Sequence, residues 1–190
     1  RHMTSSDELG IFLKNVLRAH DISPQQLTHI GMASVVPSFD YSLRSGCLKY
    51  LGHTPFEVKA TLMPGLSTEL GADLVACAIA STHHFPQHHL IIVDFGTATT
   101  FTALHAQKGL QGVAILPGFK TTALALQQQT ALLPGVEIIR PKASIGRGSS
   151  QCIQSGLYHM QLASLRHLTS DIQNHHLDKT APCKIIGTGG

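Results

Sequence analysis

The densest gathering of side chains able to do chemistry is Asp94-Phe95-Gly96-Thr97-Ala98-Thr99-Thr100. It sets a carboxylate at the end of an apolar strand, then a glycine, then three hydroxyls. Glycine lets backbone N–H groups approach a phosphate, threonine hydroxyls donate to phosphate oxygens, and the aspartate can hold a cation. An ordinary strand-to-strand turn has the same spacing, so the segment alone leaves both readings open. Gly71-Ala72-Asp73 opens an alanine-rich helix, whose N-terminus favours an ionised acid. Asp73 there could serve as a general base or as a first-turn charge. Gly146-Arg147-Gly148-Ser149-Ser150 precedes another helix and combines flexible backbone, a cation and hydroxyl donors in the manner of an anion cradle. Gly187-Thr188-Gly189-Gly190 follows a strand as a nucleotide turn would.

Histidine is abundant, with 13 copies, and pairs up at His83-His84, His88-His89 and His175-His176. Zinc needs about four converging nitrogen or sulfur ligands. These pairs sit beside Pro86 or in a polar segment, so they read as solvated loop residues and no metal is assigned to them.

The elements that must carry these residues follow from periodicity. Ser5 and Glu8 have capping-box spacing before Leu9, Phe12, Leu13, Val16 and Leu17 at helical intervals. Ser23-Pro24 opens a short turn of helix, and Ile30 to Val36 reads as a strand. A second amphipathic helix starts at Pro37-Ser38 and stops at Gly52. Phe56 to Thr61 alternates as a strand, and Leu70 to Thr82 should be a buried helix. Leu90 to Phe95, Thr100 to Ala106 and Leu110 to Ile115 read as three consecutive strands. A helix over Lys120 to Leu132, a strand at Val136 to Ile139, a helix over Ser150 to Leu168 and a strand at Lys184 to Ile186 complete the pattern. Three antiparallel strands followed by helix–strand–helix–strand is the start of a ribonuclease-H-like α/β unit.

Composition narrows the function classes. Charged residues are 13% of the 190, against an average of about 25%, while apolar content is 43%. Low charge with ordinary apolar content argues against disorder. No apolar run approaches the roughly 18 residues of a membrane span. A formal charge of +3 is too mild to imply nucleic acid. Cys47, Cys77, Cys152 and Cys183 are dispersed and read as reduced thiols of a cytosolic protein. The opening Arg1-His2-Met3 and the terminal glycines give the expectation that the natural protein extends beyond both ends.

Taken together, Asp94 to Thr100, Gly71-Ala72-Asp73 and Gln154-Ser155-Gly156 resemble bacterial type III pantothenate kinases. Ile115-Leu116-Pro117-Gly118 and Ile139-Arg140-Pro141-Lys142 fit in order and separation. The resemblance implies an α/β fold of the actin-like ATPase superfamily, two ribonuclease-H-like halves around a cleft with mixed sheets flanked by helices. The halves would be residues 1–87 and 88–190. It implies a cytoplasmic homodimer that phosphorylates pantothenate with ATP, Mg²⁺ and a monovalent cation, K⁺ or NH₄⁺, in coenzyme A biosynthesis, with no nucleic-acid or membrane partner. Carried over by position, Asp73 accepts the proton of the pantothenate hydroxyl, and Gly71 and Ala72 line the substrate site. Ser149 stands where the family has a substrate-binding threonine. Asp94 matches the monovalent-cation ligand, and Thr97, beside Gly96, matches an ATP contact.

Three departures accompany the resemblance. Nothing before Ser5 matches the family's Asp-x-Gly-Asn-Thr phosphate strand. Leu74 occupies the substrate-site position of an arginine. The stretch between Pro64-Gly65 and Glu69 is short where a loop often supplies a substrate-contacting tyrosine. Leu74 keeps two alternatives open: a catalytically impaired relative with an accessory or regulatory role, and a kinase of another hydroxylated substrate.

Overall fold

The computed structural model describes residues 5–63 and 70–189. The chain divides into two compact units, Arg1–Ile79 and Ala80–Gly190.

In the first unit, α1 (Ser6–Ala19) starts with the capping box that the spacing predicts. The Glu8 N–H donates to Ser5 Oγ (3.2 Å), and the Ser5 N–H donates to the Glu8 carboxylate (2.8 Å). Helix α2 (Pro37–Gly46) runs on as a π-helical turn, Cys47–Leu51, and Gly52 ends it in the left-handed region at φ 78°. The backbones of α1 and α2 pass so closely that a Cβ on Gly46 would lie 2.8 Å from the Ser6 carbonyl oxygen. Across the same contact Lys49 Nζ and Tyr50 Oη both donate to Asp7 Oδ1, at 2.6 and 2.9 Å. The strands are shorter than the pattern predicts: β1 (Gly31–Met32) and β2 (Phe56–Glu57) form a two-stranded parallel pair. Beyond Met32 the Ser34 hydroxyl accepts from the Val36 N–H (3.3 Å), and Pro37 begins a helix at once. Beyond Glu57 the chain tightens into a 3₁₀ turn at Ala60–Leu62. Local turn hydrogen bonds override the β-branched preference at both places. Helix α3 (Ala72–His84) starts in this unit, with Leu74, Val75 and Ala78 buried, and its residues from Ala80 onward, including buried Ser81, belong to the second.

The second unit is built on one mixed sheet. Strands β3 (His89–Phe95), β4 (Ala98–His105) and β5 (Gly109–Pro117) form an antiparallel meander, and β6 (Cys183–Gly189) joins β3 in parallel, giving the order β5-β4-β3-β6. Gly109, at φ 71°, makes the tight turn between β4 and β5. Helices α4 (Phe119–Gln129) and α5 (Ser149–His175) supply the helical layer. Ile91, Val93, Phe101 and Ala103 form the core with Ile172 of α5 and Leu177 just beyond it. Burial of Ile172 explains why α5 continues past Leu168. The strand expected at Val136 to Ile139 does not form. That segment carries no ladder, and the Gln154 side-chain amide donates to its Glu137 carbonyl (3.0 Å). At the level of mixed sheets flanked by helices, the α/β class is as the sequence implies.

Candidate functional site

In the first unit the start of α3 carries Gly71, Ala72, Asp73 and Leu74. Asp73 is in the first turn, with its carboxylate in the field of the helix N-terminus. Its Oδ1 accepts from the Leu74 N–H at 2.8 Å, satisfying one of the four donors that a helix start leaves without an intrahelical acceptor. The carboxylate folds back over Gly71, where a Cβ would collide with Oδ1 and lie 3.1 Å from Val35 Cγ1. Asp73 itself is exposed, whereas Leu74 is buried. Gly71 and Ala72 border a cleft of about 600 Å³ that Ser34, Asp40, Glu57 and Lys59 also line. One carboxylate oxygen of Asp40 is buried without a hydrogen-bond partner. Arg44 donates to Glu57 Oε1 (2.6 Å from Nε) and Lys59 Nζ lies 3.3 Å from Oε2. Arg44 first, then Lys59, holds the Glu57 carboxyl below the usual range.

In the second unit Asp94 is the penultimate residue of β3, Gly96 and Thr97 form the exposed turn, and β4 starts at Ala98. Several groups fix this turn. The Gly96 N–H donates to the Ala98 carbonyl (3.0 Å), and the Thr97 carbonyl accepts from the Gly118 N–H (3.0 Å) and from Thr121 Oγ1 (2.6 Å). Gly118 is needed here because a Cβ would strike the Gly96 and Thr97 carbonyl oxygens. From behind, Gln161 of α5, itself buried, donates to the Pro117 carbonyl (2.9 Å). On the other side, at Gly189 (φ 99°), a Cβ would come within 2.6 Å of Asp94 Oδ1. Asp94 is opposite Thr100 in the antiparallel register, and Thr100 Oγ1 is buried with no hydrogen-bond partner. A carboxylate with neighbouring hydroxyl and carbonyl oxygens is a donor set that suits a hard cation, so these residues fit such an ion.

A third cluster lies at the opposite end of β3. His89 Nε2 is 3.2 Å from Asp178 Oδ1 and His105 Nε2 is 2.9 Å from Oδ2, with both rings buried. The His89 approach is close without forming an aligned hydrogen bond. The ring nitrogens on the far side are acceptors: His89 Nδ1 takes the Ala106 N–H (3.1 Å), and His105 Nδ1 takes those of Gln107 and Lys108. Each neutral ring therefore carries its proton on Nε2, facing the carboxylate. Histidines that bind metal donate from the second nitrogen, so the cluster fits a carboxylate clamp and not a metal site. His105 first, then Thr180, holds the Asp178 carboxyl well below the ordinary range. His89 is thus a buried strand residue, contrary to the solvated-loop reading of its pair.

Of the residues that the sequence singles out, Gly71, Ala72, Asp73 and Leu74 are contiguous in the first unit, and Asp94, Gly96 and Thr97 share one turn in the second. Ser149 begins α5 and is exposed. The stretch 64–69, where the short loop falls, and the terminal Gly190 are outside the described residues. Sequence reasoning missed Asp40, Lys59, Thr121 and Gln161. No local pattern marks them, because each reaches its place through tertiary packing; only Pro117-Gly118 gave a hint.

Over residues 1–171 the chain matches the sequence model of the type III pantothenate kinase family. It is 45% identical to the type III pantothenate kinase of Legionella pneumophila (strain Corby), covering 99% of this chain and 75% of that one. It is 38% identical to that of Elusimicrobium minutum (strain Pei191), over 98% and 74%. A crystal structure from Campylobacter jejuni, described as a Baf family transcriptional activator, superposes with a TM-score of 0.48 at 16% identity, over 88% of this chain and 71% of that one. That last likeness is too slight to carry an argument. These matches place the chain among the kinases. It belongs to the type III pantothenate kinase family.

Proposed function

We propose that the protein transfers the γ-phosphoryl group of ATP to the primary hydroxyl of pantothenate, giving 4′-phosphopantothenate, the first step of coenzyme A biosynthesis. The observation that carries this reading is the match of nearly the whole chain to one kinase family. The reading includes two ribonuclease-H-like halves around a cleft, a cytoplasmic setting and a homodimer. Ile115 and Ile185, 60% and 55% exposed on the two edge strands, support the dimer. No helix of the described residues is long and apolar enough to cross a membrane.

Asp73 takes the proton of the attacking hydroxyl. Phosphoryl transfer is mostly positioning and charge neutralisation, so a carboxylate base suffices. Gly71 and Ala72 leave room for the substrate beside Asp73, and Ser149 adds a hydroxyl donor. Gly96 and Thr97 present backbone and hydroxyl donors to the nucleotide. Asp94, with Thr100 opposite, would hold a potassium or ammonium ion. Magnesium and that monovalent ion, when bound, neutralise phosphate charge.

Buried Leu74, which brings no cation to the substrate site, favours a second reading: a catalytically impaired relative with an accessory role. A coupled ADP-release assay with and without pantothenate separates the two. Pantothenate-dependent ADP release stimulated by potassium, with the stimulation blunted and ATP affinity weakened in Asp94→Asn, supports the kinase. Absence of any pantothenate-dependent release supports the accessory role.

A further inference from the structure

We propose that Lys59 is the specificity-determining residue that binds the carboxylate of the substrate in the first-unit cleft. This rests on the kinase reading above. The cleft is about 600 Å³, large enough for a small acyl-amide, and Gly71 and Ala72 at its border place it next to Asp73. Three charged side chains line its described part: Asp40, Glu57 and Lys59. Pantothenate is an anion, and a carboxylate entering a cleft that already holds two acids needs a cation to meet it. Lys59 is the one lining residue that supplies a positive charge among the described residues.

The ion pairs show why Lys59 can be spared for this task. Its Nζ is 3.3 Å from Glu57 Oε2, but Glu57 is also held by Arg44 through Oε1. If Lys59 turns to a substrate carboxylate, Glu57 keeps its Arg44 partner and no acid is left uncompensated. The Lys59 side chain is 66% exposed and free to reorient on a flexible stem. Leu74, buried at the start of α3, contributes neither charge nor hydrogen bond from its side chain.

The experiment compares pantothenate with pantothenol, the same amide bearing an alcohol in place of the carboxylate. Steady-state kinetics and direct binding are measured for the wild type, Lys59→Met and Lys59→Arg. Lys59→Met should raise KM and Kd for pantothenate about 10- to 150-fold, the range of one charge-assisted hydrogen bond. Its kcat should be unchanged, its constants for pantothenol should equal those of the wild type, and Lys59→Arg should restore most of the loss. Equal effects on both compounds, or no effect on pantothenate, overturn the assignment. Failure of the wild type to phosphorylate pantothenate at all would instead overturn the kinase reading on which it rests.

Discussion

Gly71 offers a way to move Asp73 without altering it. In Gly71→Ala the new Cβ would meet Asp73 Oδ1 and press on Val35 Cγ1 at 3.1 Å. The carboxylate is the mobile end of a side chain, so it gives way before the backbone does. Turning it off its rotamer and losing its bond from the Leu74 N–H together amount to about 2 kcal/mol. For a chain of this length that lowers Tm by about 4–8 °C. The functional effect is larger, because displacing a reacting group by about 1 Å can reduce the rate about 100-fold. Thermal unfolding and pantothenate-dependent ADP release should be measured for Gly71→Ala beside Gly112→Ala, whose Cβ would meet nothing within 4 Å. The expected pattern is a folded Gly71→Ala protein with kcat down about 100-fold and a near-normal Gly112→Ala. A Gly71→Ala enzyme with kcat within about twofold of wild type would refute the placement of Asp73 as base, since that base would tolerate displacement that catalysis forbids.

Three further outcomes follow from other contacts. Thr121→Val removes one of two donors to the Thr97 carbonyl, so KM for ATP should rise about 3- to 10-fold while Thr121→Ser stays near wild type, as kinetics at saturating pantothenate will show. The folded-state pKa of Asp178 is depressed, so its stabilisation is complete above the unfolded value near 3.8 and fades as pH falls further. Urea unfolding should therefore find Asp178→Asn less stable than wild type at pH 6, with the gap narrowing below about pH 4. Zinc should give no stoichiometric binding at His89, His105 and Asp178, checked by metal analysis and by an unchanged Tm, because both Nε2 atoms carry protons.

How far the sequence could be read depended on how local the determining physics was. The α1 capping box, the Gly52 stop and the β3–β4–β5 meander are set by neighbours in the chain, and they stand where the pattern put them. Val136 to Ile139 has strand composition but no partner strand, and pairing is not a property of one segment. The pattern ends α5 at Leu168, short of its end at His175, because Ile172 packs with Ile91 and Phe101, residues about seventy to eighty positions away. The site divides the same way. Asp73 and Asp94 are legible from flanking glycines and hydroxyls. Lys59, Gln161 and the buried His89 acquire their surroundings only in the folded chain.

The claim on which the rest depends is that Asp73 is the base of a pantothenate kinase, and the near-isosteric Asp73→Asn tests it most directly. Phosphopantothenate formation should be followed by mass spectrometry at saturating ATP and potassium, with ATP binding measured in parallel. Wild type should form product from pantothenate, and Asp73→Asn should be slower by about 10²–10⁴ with ATP affinity hardly changed. Near-normal product formation by Asp73→Asn would contradict the mechanism.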